Sequence, residues 1–242
     1  MENTYFTILH DLGRVRISGS TAALFIKTMT TVDPARISEV GTAAPALVLT
    51  SDAEIIDVVM ILRTGDVEYM LTCMPATREE MYSWLQAHAL LSDESGPIFE
   101  DLVLTDETEH LVTLAVYGPD AYAIVDELAA QGLEAALGSG QVAVVFLGDP
   151  HNGIMSLVCT YPLLPLGYLE LNVTPEVLEG LEYLLLSFPE IDPEPFEEFY
   201  ALRRAAHTWF NDADSAAYMR PDTARLQALI RQSRDFVGAR AL

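Results

Sequence analysis

Apolar and polar residues follow one another along the first hundred residues in an order that predicts strand, helix, three strands and helix. The first strand covers Leu12–Ser18 and turns at Gly19, and helical spacing follows over Ala22–Met29. The later elements are strands at Pro45–Leu49, Glu54–Leu62 and Glu68–Met74, a helix from a capping box of Thr77 and Glu80 to His88, and a closing strand at Ile98–Leu104.

The second hundred residues repeat this order of elements. The predicted elements are a strand at Leu111–Tyr117 that turns at Gly118, a helix over Pro119–Ala130, strands at Gln141–Leu147, Ile154–Thr160 and Tyr168–Val173, and a helix from Thr174 to Phe188. Three pairs of identical residues lie 99 positions apart, namely Gly19 and Gly118, Ile55 and Ile154, and Tyr69 and Tyr168. We interpret the pattern as an internal duplication.

The duplication predicts two domains, a first over residues 1–109 and a second over residues 110–242. The second domain includes a helical segment, with helices expected from Asp192 to about His207 and over Asp222–Gln232. Hairpin-like strands mixed with two packing helices per repeat predict an α+β fold with antiparallel sheets, rather than a doubly wound parallel sheet.

Composition narrows the class of protein. Half of the 242 residues are apolar, so a globular fold is expected, and no apolar run approaches the roughly 18 residues of a membrane helix. The first residues lack the basic and apolar regions of a secretion signal, so we expect a cytoplasmic protein. The formal net charge of −23 argues against nucleic-acid binding, which requires clustered lysine and arginine.

Common catalytic and metal-binding motifs are absent from the sequence. Cys73 and Cys159 lie in apolar, strand-like runs and are interpreted as buried, reduced thiols. The five histidines show no spacing typical of metal ligands, so no metal is expected. Gly138-Ser139-Gly140 precedes a strand, which is the wrong order for a phosphate-binding loop.

Several segments, in the right order along nearly the whole chain, resemble the glycine-cleavage T protein (aminomethyltransferase) family. They are LGRVRISG at Leu12–Gly19, ALFIKTMTTVD at Ala23–Asp33, LVLTSDAEIID at Leu47–Asp57, Pro75–Glu79, AVYGPDA at Ala115–Ala121, ALRRAAHTWFN at Ala201–Asn211 and DFVGARAL at Asp235–Leu242. The resemblance implies two α+β domains around a tetrahydrofolate site, followed by a C-terminal barrel. Because this chain ends where that barrel would start, we expect exposed apolar surface near Phe236–Leu242 that a protein partner covers.

Compared with that family, most site positions of this chain carry a different residue. The family's acid next to the folate nitrogen corresponds to Val58, and Asp57 precedes it. Because neighbours on a strand point to opposite faces, Asp57 is expected to point away from the pocket. The pocket positions whose family residue is replaced are Pro45, Val58, Met74 and Phe199, while Tyr161 and Arg203 keep the family's residue type.

The remaining candidate residues each have two interpretations. Asp57 is either a replacement acid or an exposed strand residue. Arg203 either holds a folate carboxylate or forms a salt bridge with the acidic run Glu194–Glu198. Tyr161, Tyr168 and Glu170 lie near the family's substrate end, and Glu170 alternates with leucines as a solvent-facing strand residue would.

Two functions follow from the sequence. The first is folate-linked one-carbon transfer, as an aminomethyltransferase, methyltransferase or demethylase that acts on a small one-carbon donor with remodelled contacts. The second is a non-catalytic accessory subunit that keeps the fold and binds a protein partner, comparable to the folate-fold subunits of amine oxidases. Iron–sulfur-assembly relatives carry a cysteine near the C-terminal signature, which DFVGARAL lacks.

Overall fold

One sheet is built from each repeat of the sequence. The computed structural model describes residues 3–10, 12–133, 137, 140–160, 167–195, 197–199 and 227–242. These residues form two units. The N unit contains residues 12–108 and 227–242, and the C unit contains residues 3–10 and 109–199 within the bounds of the two contact clusters.

The order of the helices and strands agrees with the predicted repeat. The elements of the N unit are β2 (Gly13–Ser18), α1 (Ala22–Met29), β3 (Ala43–Leu49), β4 (Ile55–Gly65), β5 (Glu68–Cys73), α2 (Arg78–Ala89), β6 (Ser92–Asp93), β7 (Gly96–Pro97) and β8 (Val103–Asp106). Those of the C unit are β1 (Thr4–Leu9), β9 (Val112–Tyr117), α3 (Ala121–Leu128), β10 (Val142–Leu147), β11 (Ile154–Thr160), β12 (Tyr168–Val173), α4 (Leu178–Leu185) and β13 (Ile191–Pro193).

The two main sheets share one strand order, which confirms the duplicated α+β fold. The N-unit order is β3-β4-β5-β2-β8, and the C-unit order is β10-β11-β12-β9-β1 with β13 added beside β1. Within the described residues, all strand pairs are antiparallel except β1 with β13. The fifth strand of each sheet comes from a different place in the chain, after α2 in the N unit and before β2 in the C unit.

Gly19 and Gly118 occupy equivalent places in the two repeats. Each follows the last residue of a strand and has a positive φ, +118° and +128° respectively. A Cβ atom at Gly19 would overlap the Asp101 carbonyl, and one at Gly118 would overlap the backbone of Thr4. Both positions therefore require glycine for its conformation and for the close approach of another chain segment.

The other two matched pairs of the sequence are not structurally equivalent. Tyr69 pairs with Ile17, two residues before the glycine, whereas Tyr168 pairs with Tyr117, one residue before it. The residue that corresponds to Tyr69 is Leu169. The isoleucine pair also fails: Val48 and Leu147 occupy equivalent places, and their partners are Asp57 and Ile154. The spacing of 99 residues is therefore kept from the first strand of each repeat to Val48 and Leu147 and is lost in the next strand.

The domain bounds 1–109 and 110–242 differ from these units at both termini. β1 pairs with β9 in the C unit, and residues 227–242 pack in the N unit. Both corrections have one physical reason. Pairing between segments more than a hundred residues apart depends on tertiary contacts, and local periodicity carries no information about it.

Three predicted elements differ from the structure in their bounds or their type, or lie partly outside the described residues. The strand expected over Ile98–Leu104 starts only at Val103, as β8, and residues 98–102 form a loop after the short hairpin of β6 and β7. The helix expected from Asp192 begins instead as strand β13, and most of its predicted length lies outside the described residues. Of the helix expected over Asp222–Gln232, residues 227 and 228 are helical and residues 222–226 lie outside the described ranges.

Each unit has a core between its sheet and two helices. Apolar residues of β2, β4 and β5 pack against α1 and α2 in the N unit, and those of β9, β11 and β12 pack against α3 and α4 in the C unit. A third cluster lies on the other face of β3 and β4, where Leu47 and Leu49 contact Phe236 and Ala239. Residues 227–242 thus cover part of the face that points away from the N-unit helices.

Candidate functional site

Asp57 is buried, with 7% of its surface exposed, and its carboxylate is held by nearby donors. Oδ1 accepts from the Val58 amide at 2.7 Å, and Oδ2 accepts from the Met74 amide at 2.7 Å and from the Thr77 hydroxyl at 2.5 Å. Met74 and Thr77 precede helix α2, where a negative charge is favourable because the amide groups of a helix start point outward. The carboxylate therefore joins β4 to the start of α2.

This geometry corrects two predictions. Asp57 was expected to be exposed if it is not an acid of the site, and it is buried. Hydrogen bonds to the chain compensate for the burial of its carboxylate. Thr77 does not act as the hydroxyl of a capping box, since its side chain accepts no hydrogen bond from helix α2 and donates to Asp57 instead. The capping pattern alone does not predict that the hydroxyl of Thr77 is bound by the carboxylate of a residue 20 positions earlier in the chain.

Val58 lies on the opposite face of β4 from Asp57. Asp57 is paired with Val48, which packs on the helix side of the sheet, and Val58 is paired with Leu47, which packs on the other side. Val58 packs against the cluster that contains Phe236. The apolar residue at this position therefore takes part in the packing that also holds the C-terminal segment.

Pro45 lies on the same face as Val58 and borders a cavity of about 380 Å³. The other walls are residues 228–233 and the start of the 3-10 helix Pro34–Ile37. Asp33, at that start, already accepts a hydrogen bond from the Ala35 amide at 3.0 Å. The cavity offers a mixed apolar and polar lining in the N unit.

Arg231, in the cavity wall, fastens the C-terminal segment to the end of α1. It is 7% exposed, and its guanidinium donates to the carbonyls of Thr30 at 2.7 Å and Val32 at 2.9 Å. It also donates to Asp235 Oδ1 at 2.7 Å, and Lys27 Nζ lies 2.6 Å from Asp235 Oδ2. Hydrogen bonds from Lys27, Ser233 and Arg231 lower the pKa of Asp235. The sequence did not predict these contacts of Arg231, Asp235 and Lys27.

The DFVGARAL segment is docked in the N unit, which corrects the prediction of exposed apolar surface. Phe236 and Ala239 are 8% and 9% exposed, and Leu242 packs against the same cluster. Gly238 has a φ of +83° and lies so close to Thr50 that a Cβ atom would overlap its carbonyl oxygen. The signature that resembles the T protein family thus has a packing role here.

Phe199 lies in an aromatic cluster of the C unit. Its ring centroid is 4.9 Å from that of Tyr117 and is stacked 5.9 Å from that of Tyr168. The Tyr117 hydroxyl donates a hydrogen bond to Glu194, and burial together with that carboxylate raises the pKa of Tyr117. Phe199 therefore packs among tyrosines of the C-unit sheet.

Glu170 is buried, which corrects the prediction of a solvent-facing residue. It is 5% exposed and accepts a hydrogen bond from the Tyr168 hydroxyl at 2.7 Å. Across the strand pair lies Cys159, whose thiol pKa is raised by burial and by Glu170. The alternation was correctly recognised, but both faces of this central strand are covered, so alternation did not identify a solvent side.

Tyr161 and Arg203 lie outside the described residues. Met74 is half-buried and contributes its amide to Asp57. Among the described residues, no group of three or more His, Cys, Asp and Glu side chains is arranged to hold a metal ion. None of the helices in the described ranges has the length and apolar composition needed to cross a bilayer.

The duplicated α+β units define the aminomethyltransferase fold. The structure of the glycine cleavage system aminomethyltransferase T from Bartonella henselae superposes with a TM-score of 0.75 and 17% identity, covering 99% of this chain and 62% of that one. The heterotetrameric sarcosine oxidase from Corynebacterium sp. U-96 gives a TM-score of 0.51 and 16% identity over 76% of this chain and 82% of that one.

Sequence comparison gives the family. The model of the GCVT N-terminal domain matches residues 7–147, and the chain belongs to that family. The aminomethyltransferase of Chloroherpeton thalassium is 27% identical over 130 residues, which are 54% of this chain and 33% of that protein. The aminomethyltransferase of Chlorobium chlorochromatii is 31% identical over 123 residues, or 51% of this chain and 31% of that protein. The matched part is thus about a third of these relatives.

Proposed function

We propose that the protein takes part in folate-linked one-carbon transfer, with tetrahydrofolate or a one-carbon derivative of it as the ligand. The observation that carries this proposal is the match of the whole two-unit fold to an aminomethyltransferase, over 99% of the chain. The family match over residues 7–147 supports it. We expect such a protein to act in the cytoplasm on a small one-carbon donor.

The described residues limit how a folate could be held. The side chains of Pro45, Val58 and Met74 offer no hydrogen-bonding oxygen or nitrogen, and an unpaired buried donor on a pterin costs about 1–3 kcal/mol. The polar contacts would therefore have to come from residues such as Arg203, whose guanidinium suits a folate carboxylate, and Tyr161. We expect weaker binding than a site with the family's acid would give.

Asp57 is not assigned a catalytic role in this proposal. Proton transfer in an aminomethyl transfer requires a carboxylate within hydrogen-bond reach of the reacting nitrogen. Both oxygens of Asp57 accept hydrogen bonds from the chain, on the face of β4 opposite Val58. Any transfer by this protein would use another group or a group of the ligand.

Calorimetry with tetrahydrofolate and 5-methyl-tetrahydrofolate tests the proposal. We expect saturable binding that weakens in Arg203→Met and is unchanged in Arg240→Met, an exposed arginine outside the cavity walls. The Val58→Asp variant should bind more tightly if loss of the family's acid has weakened the site. No heat from either folate at millimolar concentration would overturn the folate proposal.

A second candidate function is a non-catalytic accessory protein, favoured by the hydrogen bonds that occupy Asp57 and by the packing of Val58 against the apolar cluster that contains Phe236. The two functions separate in a transfer assay with purified protein, a methylamine-type donor and tetrahydrofolate. Turnover that exceeds the protein concentration supports transfer. Folate binding without turnover, or neither, supports the accessory function.

A further inference from the structure

Helices α2 and α4 are equivalent in the two repeats and are buried in the same way. Each follows a short 3-10 helix that begins with proline, Pro75–Thr77 before α2 and Pro175–Val177 before α4. Residues 76–88 and 176–188 show the same order of buried, half-buried and exposed positions. Each residue of α2 therefore has a counterpart 100 positions later in α4, and the exposed side of one helix is a reference for the other.

The exposed side of α4 is apolar where that of α2 is polar. Tyr183 is 77% exposed and Leu186 is 53% exposed, and their counterparts in α2 are Ser83 and Gln86. Tyr183 and Leu186 are three positions apart, so their side chains are neighbours on one side of the helix. Because α2 packs in the same way with polar residues there, packing within the unit does not require two large apolar side chains. Exposed apolar neighbours of this kind are typical of interaction sites.

Gly180 is a second feature of α4 that the packing does not require. A glycine inside a helix is less stable than most other residues, and the counterpart of Gly180 in α2 is Glu80. Gly180 is exposed, and a Cβ atom there would make an ordinary contact with Ile154 Cδ1 at 3.4 Å. A side chain would therefore fit. Its absence leaves room for another backbone to approach the helix closely.

Glutamates lie directly beside the two apolar side chains. Glu179 is one helical turn before Tyr183, and Glu182 is one turn before Leu186. Residues 174–190 contain four glutamates in all, and no described residue of the C unit is a lysine or arginine. The charge next to Tyr183 and Leu186 is therefore negative. A basic partner is attracted to it, whereas a second copy of this chain would bring the same glutamates and be repelled.

We propose that the outer face of α4, formed by Glu179, Gly180, Glu182, Tyr183 and Leu186, binds an amphipathic, basic helix of a partner protein. The apolar side chains of the partner helix pack on Tyr183 and Leu186, and its backbone comes closest at Gly180. Its lysine or arginine side chains lie next to the two glutamates, where opposite charges favour the complex. The proposal uses no residue of the folate proposal, so either can fail without the other.

The test uses the full-length protein and a fluorescent helical peptide of leucine and lysine, with the leucines three and four positions apart, in anisotropy titrations. The double variant Tyr183→Ser, Leu186→Gln places the residues of α2 on α4 and should bind about tenfold more weakly, because two apolar contacts are lost. The matched control is the double variant Ser83→Ala, Gln86→Ala on α2, which should leave the affinity unchanged.

Two further variants test the glycine and the charges. Gly180→Ala should weaken peptide binding, because its methyl group lies where the partner's backbone approaches, while the higher helix propensity of alanine raises the melting temperature. Unchanged binding by this variant would overturn the close approach at Gly180. The double variant Glu179→Gln, Glu182→Gln should weaken binding and reduce its dependence on salt, because the attraction between charges is removed.

Equal affinity of the Tyr183→Ser, Leu186→Gln variant and the unmodified protein would overturn the proposal, because the peptide would then be held by charge alone. Sedimentation of the protein without peptide provides a second check. A monomer is expected, since the glutamates of two copies repel one another. A dimer that the same double variant abolishes would assign this face to a second copy and would also overturn the proposal.

Discussion

The Thr77 hydroxyl donates to Asp57 Oδ2 at 2.5 Å, at the residue that directly precedes helix α2. The same carboxylate oxygen accepts from the Met74 amide. The sequence suggests Asp57 as a reacting group, but in the structure it fixes the start of helix α2 relative to strand β4. Its loss should appear in stability measurements.

We expect Asp57→Asn to lower the free energy of unfolding by about 1–3 kcal/mol, because the amide carries no charge and turns one NH₂ group toward a backbone donor. Urea titration followed by circular dichroism measures this change. Asp52→Asn, in an exposed turn before β4, is the matched control and should have little effect. An Asp57→Asn protein as stable as the unmodified one would remove the structural role.

The contacts of Asp235 with Lys27, Ser233 and Arg231 should make the free energy of unfolding depend on pH in the acidic range. The pKa of Asp235 is lowered in the folded state by Lys27, Ser233 and Arg231, so its contribution is present above the unfolded value of about 4 and is lost as the pH falls below it. Asp235→Asn should therefore reduce stability at pH 7 and make less difference with each step below pH 4. Urea midpoints of both proteins across this range provide the measurement. A difference that stays constant down to pH 2 would contradict the expected linkage.

Gly238 should tolerate substitution poorly. In Gly238→Ala the positive φ costs about 1–2 kcal/mol, and the added Cβ atom overlaps the Thr50 carbonyl oxygen. Gly148→Ala is a matched control, because its φ of +85° is nearly the same and its Cβ would make only an ordinary contact with the Leu184 side chain. We expect a larger loss of melting temperature for Gly238→Ala, and equal losses would exclude the backbone overlap as a cause.

Both cysteines should be unreactive in the folded protein. Burial raises the pKa of Cys73, with a contribution from the nearby Asp57, and burial also raises the pKa of Cys159. The thiolate that reacts with a disulfide reagent is therefore scarce as well as shielded. We expect slow reaction with Ellman's reagent in buffer and rapid reaction of both thiols in urea. Rapid reaction in buffer would show that one of the two strands opens.

The sequence was sufficient for the elements that depend on local pattern. Helix α1 has the predicted bounds, and most strands lie within a few residues of theirs. The repeated glycine turns at Gly19 and Gly118 were correctly matched, because a positive φ beside another segment selects glycine. The resemblance to the T protein family, carried by ordered short segments, was confirmed by the family match.

What the sequence missed depends on contacts between distant segments. The partner of β1, the hydrogen bonds of Arg231 and the burial of Glu170 each require knowledge of what lies across the fold. The opposite directions of Asp57 and Val58 followed from strand alternation, and the structure shows each side chain on its own face. That Asp57 is buried could not follow, because alternation gives a face and not what covers it.

The placement of β1 and of residues 227–242 has a consequence for biosynthesis. Thr4–Leu9 leaves the ribosome about a hundred residues before its partner β9, and α1 leaves it some two hundred residues before Arg231. During that interval an unpaired strand and an uncovered sheet face are open to wrong partners. Chaperone dependence during translation, and sensitivity to any pause before residue 231, should therefore be properties of this chain order.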